Sequence, residues 1–325
     1  MTDHSGRPSD RRFQSFFLRL PELSRDTVVG VGWGLLAVAF WSGSFVLTRL
    51  GVKTTLGAYD ITALRFGLAG VLLLPVVWRK GFAIERLGWP GVVALVAGVG
   101  APYALLIAAG LQFTPASHAA ALVPGLMAVI STILGVVFIA NETIPRRHWL
   151  GMCLILLGSL LLSGFARGNS LDEHIGHALF ASAALLWAIY VIVLRRFKLE
   201  SLHATSIVAV ASAFLYLPAY ASLLPNRLGA APLEDIVGQA IYQGALTTIV
   251  GLAAFNRALA LLGTAGGAAL PALVPVVTLG LASILLHEIP SLLEFTASTL
   301  VGLGVLLVTF NIGTKAESVA TKGGD

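Results

Sequence analysis

The sequence predicts an all-α integral membrane protein with ten transmembrane helices, arranged as two inverted five-helix repeats. Three observations carry that reading. Apolar residues make up 57% of the 325 residues and charged residues only 11%, with a mean hydropathy of +0.87. A soluble domain is nearer one quarter charged, so a water-soluble enzyme is excluded. The few charges collect between long apolar runs of membrane-spanning length. Finally, the chain repeats itself at an offset of 146: Trp41 and Arg49 recur as Trp187 and Arg195, Glu142 as Glu288, Leu154 as Leu300 and Gly158 as Gly304. Five spans per half is an odd number, so the second half must lie upside down relative to the first.

The spans follow from the apolar runs, since about 20 residues at 1.5 Å rise cross roughly 30 Å of hydrocarbon. Residues 27–48 supply the first, and 61–78 the second, with Arg65 as its one charge. Nothing ionises at neutral pH between 87 and 141, which is enough for a third and a fourth span hinged at Phe113-Thr114-Pro115-Ala116-Ser117. Residues 148–166, 174–194, 201–226, 236–256, 258–287 and 295–314 each hold one more. The domain boundaries read as an N-terminal tail (1–29), a first repeat (30–166), a linker (167–176), a second repeat (177–312) and a C-terminal tail (313–325). Residues 1–26 are polar and predict no cleaved signal peptide, whereas Phe13, Phe16, Phe17 and Leu20 have the spacing of a short surface-lying amphipathic helix.

Orientation follows from the cations. With the N-terminus in the cytoplasm, sixteen Lys and Arg fall in the tails and the loops near 79–90, 141–149, 195–204 and 256–264. Four (Arg49, Lys53, Arg167 and Arg227) fall on the other side. The positive-inside rule thus puts both termini in the cytoplasm of a cell inner (plasma) membrane, with 167–176 as an external linker. Glu142 then lies inside and Glu288 outside, as inversion demands. The net charge of +5 resides in loops and tails rather than on a basic face, so nucleic acid is not an expected partner; the lipid bilayer and a small-molecule substrate are.

These features carry a resemblance. Ala63-Leu64-Arg65-Phe66 opens the second span, Ala119-Ala120-Ala121-Leu122-Val123-Pro124 lies in the fourth, Asn141-Glu142-Thr143 ends it, and Gly151 and Gly158 follow in the fifth. The second half echoes them with Ala268-Ala269-Leu270-Pro271, His287-Glu288, Gly302 and Gly304. In order, spacing and duplication the chain resembles the EamA-like branch of the drug/metabolite transporter superfamily over residues 30–312. The resemblance implies a basket in which spans one to four and six to nine surround a cavity, with spans five and ten as outer scaffold. It also implies transport of small organic solutes, amino-acid-like ones favoured and outward movement expected. Arg65 has Ala211 at the matching position, so its role is not duplicated.

Candidate substrate-binding or gating residues follow from depth and chemistry. Arg65 sits five residues, about 7.5 Å, from Asp60. It reads either as an anchor for a substrate carboxylate or outer gate, or as an interface arginine that pairs with Asp60 or Tyr59. Trp41 and Ser44 in the first span, with Trp187 and Tyr190 in the sixth, are repeat-related and lie at mid-depth, where an interface belt does not explain aromatic rings. Packing against neighbouring helices is the alternative. Gln239, Gln243 and Thr247 share one face of the eighth span, with Tyr242 alongside. Amides in lipid need partners, so this face is expected to look inward, towards substrate or another helix. Pro102 breaks the third span beside Tyr103; Pro124 in the fourth and Pro271 and Pro275 in the ninth are candidate hinges, with static kinks as the alternative.

Glu142 and Glu288 each end a long span beside a proline, and read as structural carboxylates at the water boundary before proton carriers. Cys153, the single cysteine, excludes an intrachain disulfide. No P-loop lysine, dinucleotide fingerprint or paired-histidine zinc motif occurs, so no cofactor and no enzyme are expected. Asp172-Glu173-His174 with His177 reads as a solvated linker rather than a metal site. The leading expectation is a secondary transporter working by alternating access. A membrane-embedded enzyme on lipid or isoprenoid substrates, or a drug or nucleotide-sugar carrier of the same fold, stay open.

Overall fold

In lipid every backbone polar group must be satisfied within the protein, which for a chain this apolar leaves helices. The computed structural model describes residues 25–138, 144, 146–162 and 170–309, with the side chains of 259, 263–269 and 309 excepted. The expected tail helix at Phe13–Leu20 and the motif at Asn141, Glu142 and Thr143 lie outside the described residues.

All regular structure among the described residues is helical: α1 Arg25–Lys53, α2 Ala58–Lys80, α3 Ile84–Val99, α4 Ala101–Phe113, α5 Ala116–Phe138, α6 Arg146–Leu162, α7 Leu171–Phe197, α8 Ser201–Leu223, α9 Leu233–Gln239, a π-helix Ala240–Val250, α10 Gly251–Ala269, a 3-10 turn Leu270–Leu273, α11 Val274–Leu285 and α12 Leu292–Thr309. Seven helical stretches are long and apolar enough to cross a bilayer: Arg25–Lys53, Ala58–Lys80, Ile84–Phe113, Ala116–Phe138, Leu171–Phe197, Ser201–Leu223 and Leu233–Leu262. The stretch Leu270–Leu285 and the helices α6 and α12 are shorter.

Two irregularities occupy matching places. The third apolar run breaks at Gly100, where α4 restarts with Pro102 at the second helical position, a place that needs no donor from proline. The freed Ala101 N–H donates to Ser212 Oγ at 3.2 Å. The matching position in the second half, 246, falls inside the π-helix, whose i→i+5 repeat is also followed by Thr248 Oγ1 donating to Gln243 O at 2.7 Å. Pro275 likewise stands at the start of α11, Pro271 in the 3-10 turn, and Pro124 inside α5.

The halves interlock. α7 packs against α3, α4 and α5 of the first half, and its counterpart α1 packs against α10 and α11 of the second; α2 packs on its counterpart α8, and α6 on α12. A pseudo-two-fold axis explains all four pairings. The α6–α12 seam shows it at atomic scale. A Cβ at Gly151 would lie 2.7 Å from Gly304 O, one at Gly304 2.6 Å from Gly151 O, and one at Gly158 2.7 Å from Ala297 O. Residues 151 and 297, like 158 and 304, are 146 apart, so each contact is the other's symmetry mate. Small residues let two backbones meet in a setting where burial from lipid gives no drive.

The outer surface is apolar, with Val71, Phe214 and Leu215 well exposed. Trp78, Trp89 and Trp149 stand exposed at the helix ends that carry the 79–90 and 146–149 cations, as an interfacial aromatic belt does. Cys153 in α6 is exposed too.

Candidate functional site

Between the halves lies a cavity of about 420 Å3. Among the expected site residues, Trp41, Ser44, Arg65, Tyr103, Trp187, Tyr190, Gln243 and Thr247 line it, as do Pro124 and Pro271. Gln239 and Tyr242 lie behind the wall: Gln239 Nε2 donates to Leu47 O at 2.6 Å, and Tyr242 fits over Gly43, its hydroxyl 3.4 Å from Phe40 O. Pro102 and Pro275 are off the cavity too, each starting a helix beside it.

The aromatic lining comes in pairs across the two halves. Trp41 packs on Phe255 with ring centroids 5.2 Å apart, and Tyr103 meets Trp187 edge-on at 5.9 Å. Phe255, Phe45 and Thr48 were not among the sequence candidates, although Phe45 and Thr48 stand one turn from Trp41 and Ser44 on the same helix face.

Gln243 is the polar centre of one wall. It is 1% exposed. Ser44 Oγ donates to its Oε1 at 2.7 Å, and its Nε2 donates to Thr48 Oγ1 at 2.9 Å and Ser44 O at 3.2 Å. The amide thereby ties the π-helix to α1. Gly244 brings the same stretch against α2, where a Cβ would lie 3.0 Å from Arg65 O.

Arg65 does not pair with Asp60. That carboxylate is fully buried and holds three other donors: Gly57 N donates to its Oδ2 at 2.6 Å, capping α2, while Tyr220 Oη and Arg227 N donate to Oδ1 at 2.5 and 3.0 Å. The Arg65 guanidinium instead sits 5.7 Å from the Phe66 ring centroid on the cavity wall, and its buried Nε has no partner among the described residues. Thr247 Oγ1, also on the wall, is in the same condition.

One end of the cavity is bolted. Thr48 and Ala108 line it; just beyond them, Arg49 Nε donates to Glu288 Oε1 at 2.8 Å and Arg49 Nη1 to Leu111 O at 2.5 Å. Glu288 Oε2 accepts from Ala116 N at 3.3 Å at the start of α5, which suits a carboxylate. Three helices and the 286–291 loop are thus cross-linked through one ion pair. A hollow of about 260 Å3 lies against it, with Glu294 on its wall. Glu294 caps α12 reciprocally with Ser291 and meets His118 Nε2 at 3.1 Å, and His118 Nδ1 meets His177 Nε2 at 2.9 Å. His118 and Glu294 escaped the sequence reading; the Ser291-x-x-Glu294 capping box was the legible sign of the latter. Among the described residues no three His, Cys, Asp or Glu side chains converge as a metal site would need.

At the opposite end Lys80 Nζ bonds Glu200 Oε2 at 2.6 Å, holding that carboxyl below its usual range, and His203 Nε2 meets Gly81 O at 2.8 Å.

Comparison with known proteins places this architecture. The profile of the "EamA-like transporter family" matches residues 28–164 and again 174–310. "Uncharacterized transporter YdeK" of Bacillus subtilis (strain 168) is 28% identical over 268 residues, 79% of this chain and 89% of that protein. "Uncharacterized transporter YwfM" of the same organism is 31% identical over 153 residues, 46% of this chain and 50% of that protein, so the chain spans half of that relative's length. A solved crystal structure shares the fold with a TM-score of 0.58 at 19% identity, covering 91% of this chain and 99% of that one.

Proposed function

The chain belongs to the EamA-like transporter family, and from that premise we propose that it is a secondary transporter that moves small organic metabolites outward across the inner membrane by alternating access. The observation that carries this reading is a cavity walled by both repeats and bolted at one end by Arg49 and Glu288. Its volume suits a small metabolite.

Ten spans with both termini cytoplasmic make the Arg49–Glu288 end external. The described conformation is then shut to the outside, while the lining continues past mid-depth to Thr205 and Phe255. Release outward needs that ion pair to open. The irregular third and eighth spans, at Gly100 and over Ala240–Val250, supply bendable backbone beside the cargo. Energy comes from a gradient of the cargo or of a coupled ion.

The test compares metabolites in spent medium from cells overexpressing the wild type and an Arg65→Ala, Gln243→Ala double variant at matched membrane abundance. One compound class should build up outside with the wild type alone. Identical profiles across hosts, with uptake into wild-type vesicles instead, would overturn outward transport.

A further inference from the structure

We propose that the cargo is an apolar monocarboxylate anion rather than a zwitterion or a cation; this rests on the transporter reading above and narrows it. Among the described residues the cavity wall carries a single charge, that of Arg65; no Asp, Glu, Lys or His belongs to the wall.

Arg65 is built to receive something. A buried guanidinium usually owes its place to a carboxylate partner. Here the nearest carboxylate in sequence, Asp60, is engaged by Gly57, Tyr220 and Arg227, and Arg65 Nε is left without a hydrogen-bond partner among the described residues. The Phe66 ring lies beside it, 5.7 Å from the guanidinium carbon, and offers no hydrogen-bond acceptor of its own beyond the ring face. A planar fork of donors matches a carboxylate two bonds at a time, and a buried site strengthens those bonds. Thr247 adds a buried hydroxyl with no described partner on the same wall.

The rest of the chamber suits the body of such a molecule. Trp41, Phe45, Tyr103, Trp187 and Phe255 give it an aromatic lining. An ammonium group would find no carboxylate there. The amide oxygen of Gln243 already accepts from Ser44 and carries no charge to pair with an ammonium, and the field of Arg65 repels a second cation. An amino acid would therefore satisfy one of its two charges. An interior-negative potential drives a monoanion outward by about fiftyfold per 100 mV, so such a cargo needs no coupling ion to leave.

The experiment uses the full chain reconstituted in lipid nanodiscs and four probes with one shared body: 3-phenylpropanoate, phenylalanine, 3-phenylpropylamine and 3-phenylpropanamide. Binding is read from tryptophan fluorescence and checked by thermal shift. The expected result is 3-phenylpropanoate binding at least about tenfold more tightly than phenylalanine or the amide, with the amine weakest. Arg65→Gln should abolish the acid's advantage over the amide, whereas Arg65→Lys should keep part of that advantage, since it keeps charge without the fork. A monodisperse gel-filtration profile and a cooperative ligand-free melt show that the variants are folded. Phenylalanine or the amine binding as tightly as the acid overturns the proposal, as does an Arg65→Gln protein that still prefers the acid, or no binding of any probe. Probe flux through proteoliposomes separates the two readings: a carried amine or amino acid leaves transport standing and removes the anion assignment.

Discussion

Ser44 and Gln243 show what single residues do in this molecule. An amide in the membrane is tolerated only when bonded, and Gln243 spends both ends on α1 through Ser44 and Thr48. Ser44→Ala removes the donor to Oε1 and should lower stability by about 1 kcal/mol, between the bilayer average for an interhelical bond and the cost of an orphaned buried amide. A melting curve in detergent checks it, and an unchanged curve would mean that water replaces the hydroxyl. That Gln243 looks inward was legible from its chemistry. Whether Arg65 would turn to the cavity or pair with Asp60 the sequence left open, because Asp60 is claimed by Tyr220 and Arg227, residues about 160 positions away in sequence.

Helix–helix contact decides the next scale. The α6–α12 seam brings backbone to backbone at Gly151, Gly158 and Gly304, and a side chain there has nowhere to go. Gly158→Leu should cost at least about 1–3 kcal/mol, the usual penalty for overpacking, and is expected to lower the yield of folded protein. Gly32→Ala in α1, with nothing within 4 Å, should be neutral or slightly stabilising. Equal yields and melting temperatures for the two variants would dispose of the seam. Gly158 and Gly304 stood out in the sequence as a position repeated between the halves, but their packing partners did not. Likewise the polar i, i+4, i+8 row of the eighth span was visible, while its π-helical winding was not: side-chain periodicity fixes a face, and hydrogen-bond pitch depends on what the backbone packs against.

At the scale of the whole molecule the Arg49–Glu288 pair bolts the two halves at one end of the cavity. Breaking a largely buried pair leaves an uncompensated charge, a strong penalty, so Arg49→Ala should favour conformations open at that end. With Cys153 replaced by Ser and a reporter at Ala108→Cys, labelling of intact cells by a membrane-impermeant thiol reagent should rise about tenfold or more on adding Arg49→Ala. A rise that appears only in inverted vesicles would reverse the proposed orientation, and no rise in either would remove the bolt. The 146-residue offset, the apolar composition and the family membership were all determined by the sequence alone, because each is a property of residue order and needs no contact. The exchange of α1 and α7 between halves, the Arg49–Glu288 pair at a separation of 239 residues and the cavity-facing Arg65, whose Nε has no hydrogen-bond partner among the described residues, belong to the tertiary structure. Such features depend on which helices lie side by side, and in a bilayer, where all faces are alike in polarity, that choice is made by shape and hydrogen bonding across distant segments.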